Sequence, residues 1–326
     1  MPWMIGIDEA GYGPNLGPLV MTSVACRMPE QLRETNLWKV LKKVVRRQSD
    51  PEDSRFVVDD SKLVYSPATG LVGLETAVWS VLASVQPEAL ASLKEYIDRV
   101  CPSSGDELQQ EPWFTGKTNV PFAQQQVAYQ DVIAGFAQAC QDCGILFGPI
   151  HSVVICPPRF NQLLDHWDSK GAILGHGLSE LLLRGLTSSA QGRDGDDEPI
   201  DFVIDKHGGR NFYFAMLQEA LGERMVVAHE ETSNRSRYSA CGHGGPIRFT
   251  FQPRADAEHF CVALASMASK YLRELLMVEF NQFWREHLPD LRPTAGYPGD
   301  SARFYRAIRP VAKRLGITRA SLWRRR

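Results

Sequence analysis

The sequence lacks the cysteine pattern of a disulfide-bonded protein and has no long apolar run. Its 326 residues include seven cysteines, an odd number spread along the chain, which does not fit a disulfide framework. No apolar stretch reaches the roughly 18 residues that a membrane-spanning helix needs. The first residues lack the basic segment followed by an apolar segment that marks a secretory signal. These absences predict a cytoplasmic protein with no membrane partner.

Neither sign of charge dominates the whole chain. The net charge is −2, so the composition does not by itself indicate a polyanionic partner. The distribution is uneven, because residues 299–326 contain nine Lys or Arg and one acidic residue, Asp300. A local cationic surface suits contacts with phosphates, but a solvated basic tail has the same composition. Charge alone leaves both interpretations open.

Short apolar segments alternate with helical patterns, which predicts the α/β class. Trp3–Ile7 and Pro18–Cys26 are predicted strands, joined by a glycine-rich turn at residues 11–17. A strand, a tight turn and a second strand indicate an antiparallel hairpin. The sheet is therefore predicted to be mixed, with helices flanking it.

The rest of the chain divides into further strands and helices. The other predicted strands are Phe56–Val58, Ser152–Ile155, Phe202–Ile204, Arg224–Glu230 and Pro246–Phe251. The predicted helices are Leu37–Arg47, Phe122–Cys143, Leu178–Leu186, Ala257–His287 and one that Asp300 caps and that breaks near Pro310. Residues 71–85 stay open between strand and helix, and residues 231–245 are predicted to form a loop.

Acidic residues stand at the ends of these elements. Asp8 and Glu9 end the first strand, Asp205 ends a later one, and Asp256 begins the long helix. Converging buried carboxylates repel one another and are costly to desolvate, and a divalent cation relieves both costs. Mg²⁺ prefers oxygen ligands, and a pair of such ions can hold both the attacking water and the leaving oxygen of a phosphodiester. The combination predicts a metal site for phosphoryl chemistry.

Each acidic residue also has an ordinary structural explanation. Asp256 is a good helix N-cap, and Asp205 is a good turn residue ahead of His207-Gly208-Gly209. Taken singly, these positions favour a structural role. Only their combination, with the residues around them, favours catalysis.

Five segments carry a more specific signal. The longest is Ile5-Gly6-Ile7-Asp8-Glu9-Ala10-Gly11-Tyr12-Gly13-Pro14, followed by Gly17-Pro18-Leu19-Val20. The others are Asp59-Asp60-Ser61-Lys62-Leu63, Phe202-Val203-Ile204-Asp205, Ala255-Asp256 with the small-residue helix after it, and Gly296-Tyr297-Pro298. In content and order these segments resemble the motifs of type 2 ribonucleases H, the ribonuclease HII family.

The resemblance implies a ribonuclease H-like α/β fold with a helical C-terminal part. It implies that Asp8, Glu9, Asp205 and Asp256 are the catalytic ligands of Mg²⁺ or Mn²⁺, with two ions expected. It implies substrate contacts from Gly11, Tyr12, Gly13, Ser61, Lys62 and Tyr297. The implied reaction is hydrolysis of the RNA strand of RNA–DNA hybrids, or at ribonucleotides embedded in duplex DNA, leaving 5′-phosphate and 3′-hydroxyl ends.

The chain departs from the family pattern in three respects. The family usually has arginine between the two motif glycines, in a loop that reads the ribose 2′-hydroxyl largely through backbone groups, and this chain has Tyr12. Asp205 is followed by Lys206 rather than by the family's usual turn. The chain is also longer, so that a catalytic domain is expected at 1–287, with insertions near 87–148 and 231–245, and a basic helical segment at 288–326. A monomer is expected.

Two alternatives remain open. One is a nuclease that acts on DNA alone, because Tyr12 removes the arginine from the loop. The other is a nucleic-acid-binding protein without catalysis that keeps the fold. For the ribonuclease H activity, the basic segment and the Lys39–Arg47 part of the predicted helix are expected to contact the duplex backbones.

Overall fold

The computed structural model describes residues 1–48, 53–86, 88–122, 128–191, 198–241 and 245–325. Within these ranges the strands are β1 (Trp3–Ala10), β2 (Leu19–Arg27), β3 (Val45–Arg46), β4 (Phe56–Val57), β5 (Leu146–Ile155), β6 (Ile200–Asp205), β7 (Met225–Glu231), β8 (Ser236–Cys241) and β9 (Ile247–Gln252). The helices are α1 (Leu37–Val40), α2 (Ser61–Val64), α3 (Val72–Val85), α4 (Leu93–Val100), α5 (Gly105–Gln109), α6 (Ala128–Asp142), α7 (Pro157–Trp167), α8 (Lys170–Gln191), α9 (Phe214–Leu221), α10 (Ala255–Glu258), α11 (Phe260–His287), α12 (Pro298–Arg314) and α13 (Arg319–Leu322). None of these helices is long and apolar enough to cross a membrane.

Seven strands form one mixed sheet, in the order β5-β2-β1-β6-β9-β8-β7. β1 pairs antiparallel with β2 and parallel with β6, and β9 lies parallel to β6. The predicted α/β class and mixed sheet are confirmed. In the parallel pair Ile7 lies opposite Ile204. The next residue of each strand, Asp8 and Asp205, therefore reaches the same edge of the sheet.

β1 lies between two layers of helices. Ile5 and Ile7 point into an apolar cluster shared with α8. On the other face Gly6 meets α11, where a methyl group at Gly6 would overlap the Cys261 carbonyl carbon and the Val262 nitrogen. The backbones of β1 and α11 are therefore in contact, close to the predicted carboxylates.

The segment from residue 288 onwards packs against the second half of α11. Its apolar cluster contains Leu16, Trp284, Phe304, Ile308 and Val311. The predicted helical character of this segment is confirmed by α12 and α13. The domain boundary placed at residue 287 stays a prediction.

Helix α12 differs from its prediction in two ways. Tyr297, and not Asp300, occupies the N-cap position, and Asp300 instead pairs with Arg303 at 2.6 Å inside the first turn. Pro310 does not end the helix, which continues to Arg314. Proline removes one backbone hydrogen bond, and burial of Val311 just after it offsets that loss.

The predicted helix at Leu37–Arg47 is wrong beyond its first turn. α1 ends at Val40, and Val45 and Arg46 form β3, which pairs with β4. Val45 follows another valine, and β-branched residues favour strands. Pairing with β4 places Val45 in the same buried cluster as Phe56. The basic residues of this segment have helical spacing, and the prediction followed them. The apolar residues instead pack as part of a strand beyond Val40.

The predicted loop at 231–245 is wrong for residues 236–241, which form β8, and holds for residues 232–235, which connect β7 to β8. β8 pairs with β7 on one side and with β9 on the other. Ser236, Tyr238 and Ala240 are buried and the residues between them face outward, which is the period of a half-buried strand. Residues 242–244, which the prediction also covers, lie outside the described residues.

The remaining helical predictions hold in type, with shifted bounds. The open segment at 71–85 is the helix α3, and the predicted helices at 122–143 and 178–186 correspond to α6 and to part of α8. Residues 123–127 of the predicted helix at 122–143 lie outside the described residues. The long helix is interrupted at His259, which separates α10 from α11. Asp256 therefore lies in a short helix of its own.

Candidate active site

The four predicted carboxylates lie at one edge of the sheet. Asp8 and Glu9 end β1, Asp205 ends β6, and Asp256 lies in α10. The Ala255 N–H donates to Asp205 Oδ1 at 2.9 Å, which holds α10 against the end of β6. Two parallel strands and one short helix thus bring these side chains together.

Burial disfavours the charged forms of all four groups, and repulsion by neighbouring carboxylates adds to it at Asp8, Glu9 and Asp256. Burial raises the pKa of Asp8 well above its usual range, and the charges of Glu9 and Asp205 raise it further. The pKa of Glu9 rises to about 7, first through burial and then through Asp205. Burial is also the main cause of the raised pKa values of Asp205 and Asp256. The edge of the sheet is therefore a concentration of buried negative charge.

Lys62 is the cation that opposes this charge. Its ammonium group acts to lower the pKa values of Glu9, Asp205 and Asp256. Lys62 lies in α2, and the Asp60 side chain caps this helix by accepting the Lys62 N–H at 2.9 Å. The capped helix of the Asp60-Ser61-Lys62 segment thus places Lys62 near the carboxylates.

Ser61 is buried rather than open to a ligand. Its hydroxyl accepts from Ser266 Oγ of α11 at 3.1 Å, and the Ser266 side chain lies close enough to Asp8 to lower its pKa. Ser269, one turn further along α11, donates to the Asp8 carbonyl oxygen at 3.1 Å. α11 therefore holds both the strand end and the Asp-Ser-Lys segment.

The donor set at this edge suits a hard divalent cation. All four groups are carboxylates, and Glu9 Oε2 is buried with no hydrogen-bond partner. In the described residues no three His, Cys, Asp or Glu side chains converge closely enough to enclose a metal ion. Mg²⁺ retains several waters and usually takes only one or two carboxylates together with substrate phosphates. An open arrangement of carboxylates therefore fits this ion.

The glycine loop, residues 11–17, lies next to the carboxylates. Gly11 has a φ of 84°, and a methyl group there would lie 2.6 Å from Arg273 Cδ, whereas one at Gly13 would meet nothing within 4 Å. Tyr12 is half-buried, and its pKa is raised by burial and then by the charge of Glu9. The loop is thus fixed at Gly11 and open to solvent at Gly13.

Tyr297 is joined to the glycine loop. Its ring is 46% exposed, and the Arg273 guanidinium lies 5.7 Å from the ring centroid. The carbonyl of the preceding residue, Gly296, accepts the N–H groups of Asn15 at 2.8 Å and Leu16 at 3.2 Å. The loop and the exposed aromatic ring therefore form one surface.

Some residues of this site were not predicted from the sequence. Asp60 lies close enough to Asp256 to raise its pKa, and Arg273 is fully buried, donating to Ala295 O at 2.8 Å. Ser266, Ser269 and Arg273 are buried polar residues at helical spacing in α11. A polar stripe at that spacing was the available signal for them.

The sequence matches no protein-family model and no curated protein. Structural resemblance is found to type 2 ribonucleases H. Ribonuclease HII of Archaeoglobus fulgidus, solved in complex with PCNA, is 15% identical, with 99% of this chain and 94% of that chain covered and a TM-score of 0.42. Ribonuclease H2 of Pyrococcus horikoshii OT3 is 14% identical, with 98% and 92% covered and a TM-score of 0.45. Bst-RNase HIII in complex with Mn²⁺ is 14% identical, with 99% and 66% covered and a TM-score of 0.43. At these values the resemblance does not say what the chain does.

Proposed function

We propose that this chain is a divalent-metal-dependent endonuclease of the type 2 ribonuclease H kind. Its substrates are the RNA strand of RNA–DNA hybrids, or ribonucleotides embedded in duplex DNA. The observation that carries the proposal is the meeting of Asp8, Glu9, Asp205 and Asp256 at one sheet edge, beside Lys62. A cytoplasmic monomer is proposed with it.

The four carboxylates would hold Mg²⁺ or Mn²⁺. When bound, such ions activate water for attack and neutralise the leaving oxygen of the phosphodiester, and the products carry 5′-phosphate and 3′-hydroxyl ends. Lys62, next to the carboxylates, attracts the phosphate. Ser61 supports the Asp8 end of the site through Ser266. The pKa values of the carboxylates are raised despite Lys62, which marks the cost of keeping this site without a bound divalent cation.

The glycine loop and Tyr297 supply the contacts with the sugar. Gly13 leaves room for a ribose against the loop, and the exposed ring of Tyr297 offers a surface on which the sugar or base next to the cleaved bond can stack. An A-like hybrid displays 2′-hydroxyls in a wide, shallow groove, where backbone groups can reach them. Gly11, Tyr12 and Gly13 are placed for that contact.

The basic segment at 299–326 would bind the backbones of the duplex. Arg306, Arg309 and Arg314 are exposed on α12, so binding weakens as salt rises. Residues 37–47 are proposed to contact the backbones as well. Lys39, Lys42 and Lys43 are exposed, whereas Arg47 pairs with Asp59 at 2.8 Å and lies over the Trp38 ring. The proposed cationic surface therefore includes α12 and these lysines.

The test is cleavage of three labelled duplexes by the purified chain, in Mg²⁺ and in Mn²⁺. One duplex contains a single ribonucleotide, the second is a continuous RNA–DNA hybrid, and the third is all DNA. Cutting of the first two, and its loss in EDTA, is the expected result. Equal cutting of the all-DNA duplex would identify a DNA nuclease. Tight binding to hybrid with no cleavage in either metal would identify a non-catalytic binding protein.

Gly13→Ala is expected to slow cleavage next to a single ribonucleotide by at least about tenfold, which corresponds to about 1.4 kcal/mol of transition-state stabilisation. The added methyl group meets nothing in the chain, so the free energy of unfolding should not fall. It would occupy the space proposed for the ribose. Single-turnover kinetics and urea unfolding measure the two effects.

Gly11→Ala is the matched control for that variant. It combines a positive φ with overlap of the Arg273 side chain, so it is expected to lower the free energy of unfolding by about 1–3 kcal/mol. Wild-type cleavage by Gly13→Ala would mean that the ribose does not lie against this part of the loop.

A further inference from the structure

Arg324 is an interior residue, although it belongs to the basic segment that the sequence places on the surface. Its side chain is 1% exposed. The guanidinium lies beneath the glycine loop and over the Phe160 ring, 5.0 Å from the ring centroid. It takes no part in the metal site or the cationic surface described above.

Arg324 binds the glycine loop with both its backbone and its side chain. Its N–H donates to the Asn15 carbonyl oxygen at 2.8 Å. Its Nη2 donates to the carbonyl oxygen of Gly11 at 2.6 Å and to that of Pro14. Three carbonyl groups of the loop are thus held from within by one residue.

This guanidinium is costly to bury. Its Nε and Nη1 atoms have no hydrogen-bond partner among the described residues. Burial, and then repulsion by Arg273, lowers the pKa of Arg324 to about 9. The effect of Arg324 on stability therefore combines this burial cost with the hydrogen bonds that its side chain donates to the carbonyl oxygens of Gly11 and Pro14.

The contact with Gly11 sets the direction of one backbone donor. The Gly11–Tyr12 peptide bond is trans, and in a trans peptide the carbonyl and the following N–H point to opposite sides. Because Arg324 holds the Gly11 carbonyl toward the interior, the Tyr12 N–H points away from it. Within the described part of the chain that N–H has no hydrogen-bond acceptor. It is a fixed donor beside the open space at Gly13.

We propose that Arg324 is a positioning residue that aims the Tyr12 N–H at the ribose 2′-hydroxyl of the substrate. This rests on the proposed function and names the group that reads the ribose there. It also gives the chain a substitute for the arginine that position 12 lacks. The cation acts on the loop backbone from beneath instead of projecting from the loop.

The test uses the inactive Asp205→Asn chain, with and without Arg324→Met. Its affinity is measured for two duplexes that differ by a single 2′-hydroxyl, at one ionic strength because phosphate contacts make affinity salt-dependent. Methionine fills similar space without a charge or donors. The double variant loses the donors of two loop carbonyls, so it is expected to fold with a lower urea midpoint than Asp205→Asn alone. It should keep its affinity for all-DNA duplex and lose about tenfold of its preference for the ribonucleotide, the scale of one hydrogen bond.

Two further variants separate positioning from a structural role. Arg324→Lys keeps a cationic donor and should recover part of the preference. Arg33→Ala removes a guanidinium that is paired with Asp201 at 2.7 Å, at the opposite end of β6 from Asp205. It should lower stability and leave the preference unchanged.

Three results would overturn the role of Arg324. They are an unchanged preference in Arg324→Met, an equal loss of preference in Arg33→Ala, and failure of Arg324→Met to fold, which would assign Arg324 a structural role. Failure of the proposed function looks different, because the wild-type chain would then cleave none of the ribonucleotide duplexes.

Discussion

Asp205→Asn is expected to slow cleavage of ribonucleotide-containing duplexes by about 10³-fold or more, with no loss of folding stability. The amide replaces a proposed metal ligand, and metal binding contributes several kcal/mol to the transition state, where each 1.4 kcal/mol is a factor of ten. The asparagine oxygen still accepts the Ala255 N–H that Asp205 accepts at 2.9 Å. Removal of one charge also relieves repulsion with Asp8 and Glu9.

Asp201→Asn is the matched control, because Asp201 lies on the same strand and the same face, four residues earlier. Asp201 pairs with Arg33 and with Arg248 at 2.6 Å, so its amide variant should be less stable than the wild type and still cleave. Single-turnover rates and urea midpoints measure the two effects. Asp205→Asn should lose cleavage and keep its stability, and Asp201→Asn should lose stability and keep its cleavage. Full activity in Asp205→Asn would remove Asp205 from the proposed metal ligands.

Gly6→Ala is expected to lower the free energy of unfolding by about 3 kcal/mol or more, and to impair cleavage as well. The methyl group would overlap the backbone at Cys261 and Val262. Backbone atoms in a helix cannot rotate away as a side chain does, so α11 must shift from β1, and overpacking of this kind costs at least 1–3 kcal/mol. Such a shift also moves Ser266 and Ser269, which hold Asp8 and its strand.

Thermal or urea unfolding of Gly6→Ala, with Gly105→Ala as control, measures the effect. Gly105 has helical backbone angles, and a methyl group there meets nothing within 4 Å, so this variant should be neutral or stabilised by a few tenths of a kcal/mol. Equal stability of the two variants would mean that α11 does not touch β1 as described.

Sequence patterns predicted the elements that depend on local apolar content. β1, β2 and β6 are short apolar runs, and each was found within a few residues of its bounds. β8 was missed because its buried face includes a serine and its outward face is polar, so composition indicated a loop. The helix expected at Leu37–Arg47 failed for the reverse reason, since basic residues at helical spacing outweighed the valines. The structure of both segments depends on the strands with which they pair. A single sequence does not reveal which strands pair.

The sequence predicted part of the candidate site, because part of the site is marked by local sequence. Its carboxylates stand at strand ends and within motifs, so their types and positions marked them. Arg324 was counted with a surface tail because its burial depends on contacts with residues more than three hundred positions away. Arg273 and Ser269 lie in a helix whose apolar stripe is the stronger signal. Whether a polar residue is buried is a tertiary property, and its local sequence does not fix it.

The bond between Arg324 and Gly11 has a consequence for the timing of synthesis. The two residues are 313 positions apart, and a ribosome adds about 5–20 residues per second. The glycine loop is therefore made about 15–60 s before Arg324 can reach it. Asp8 and Glu9 are made before the loop, and the nascent chain acquires Asp205 and Asp256 during that interval, while the Gly11 carbonyl has no guanidinium to hold it. The proposed ribose contact is thus the last part of the candidate site to be completed on the ribosome.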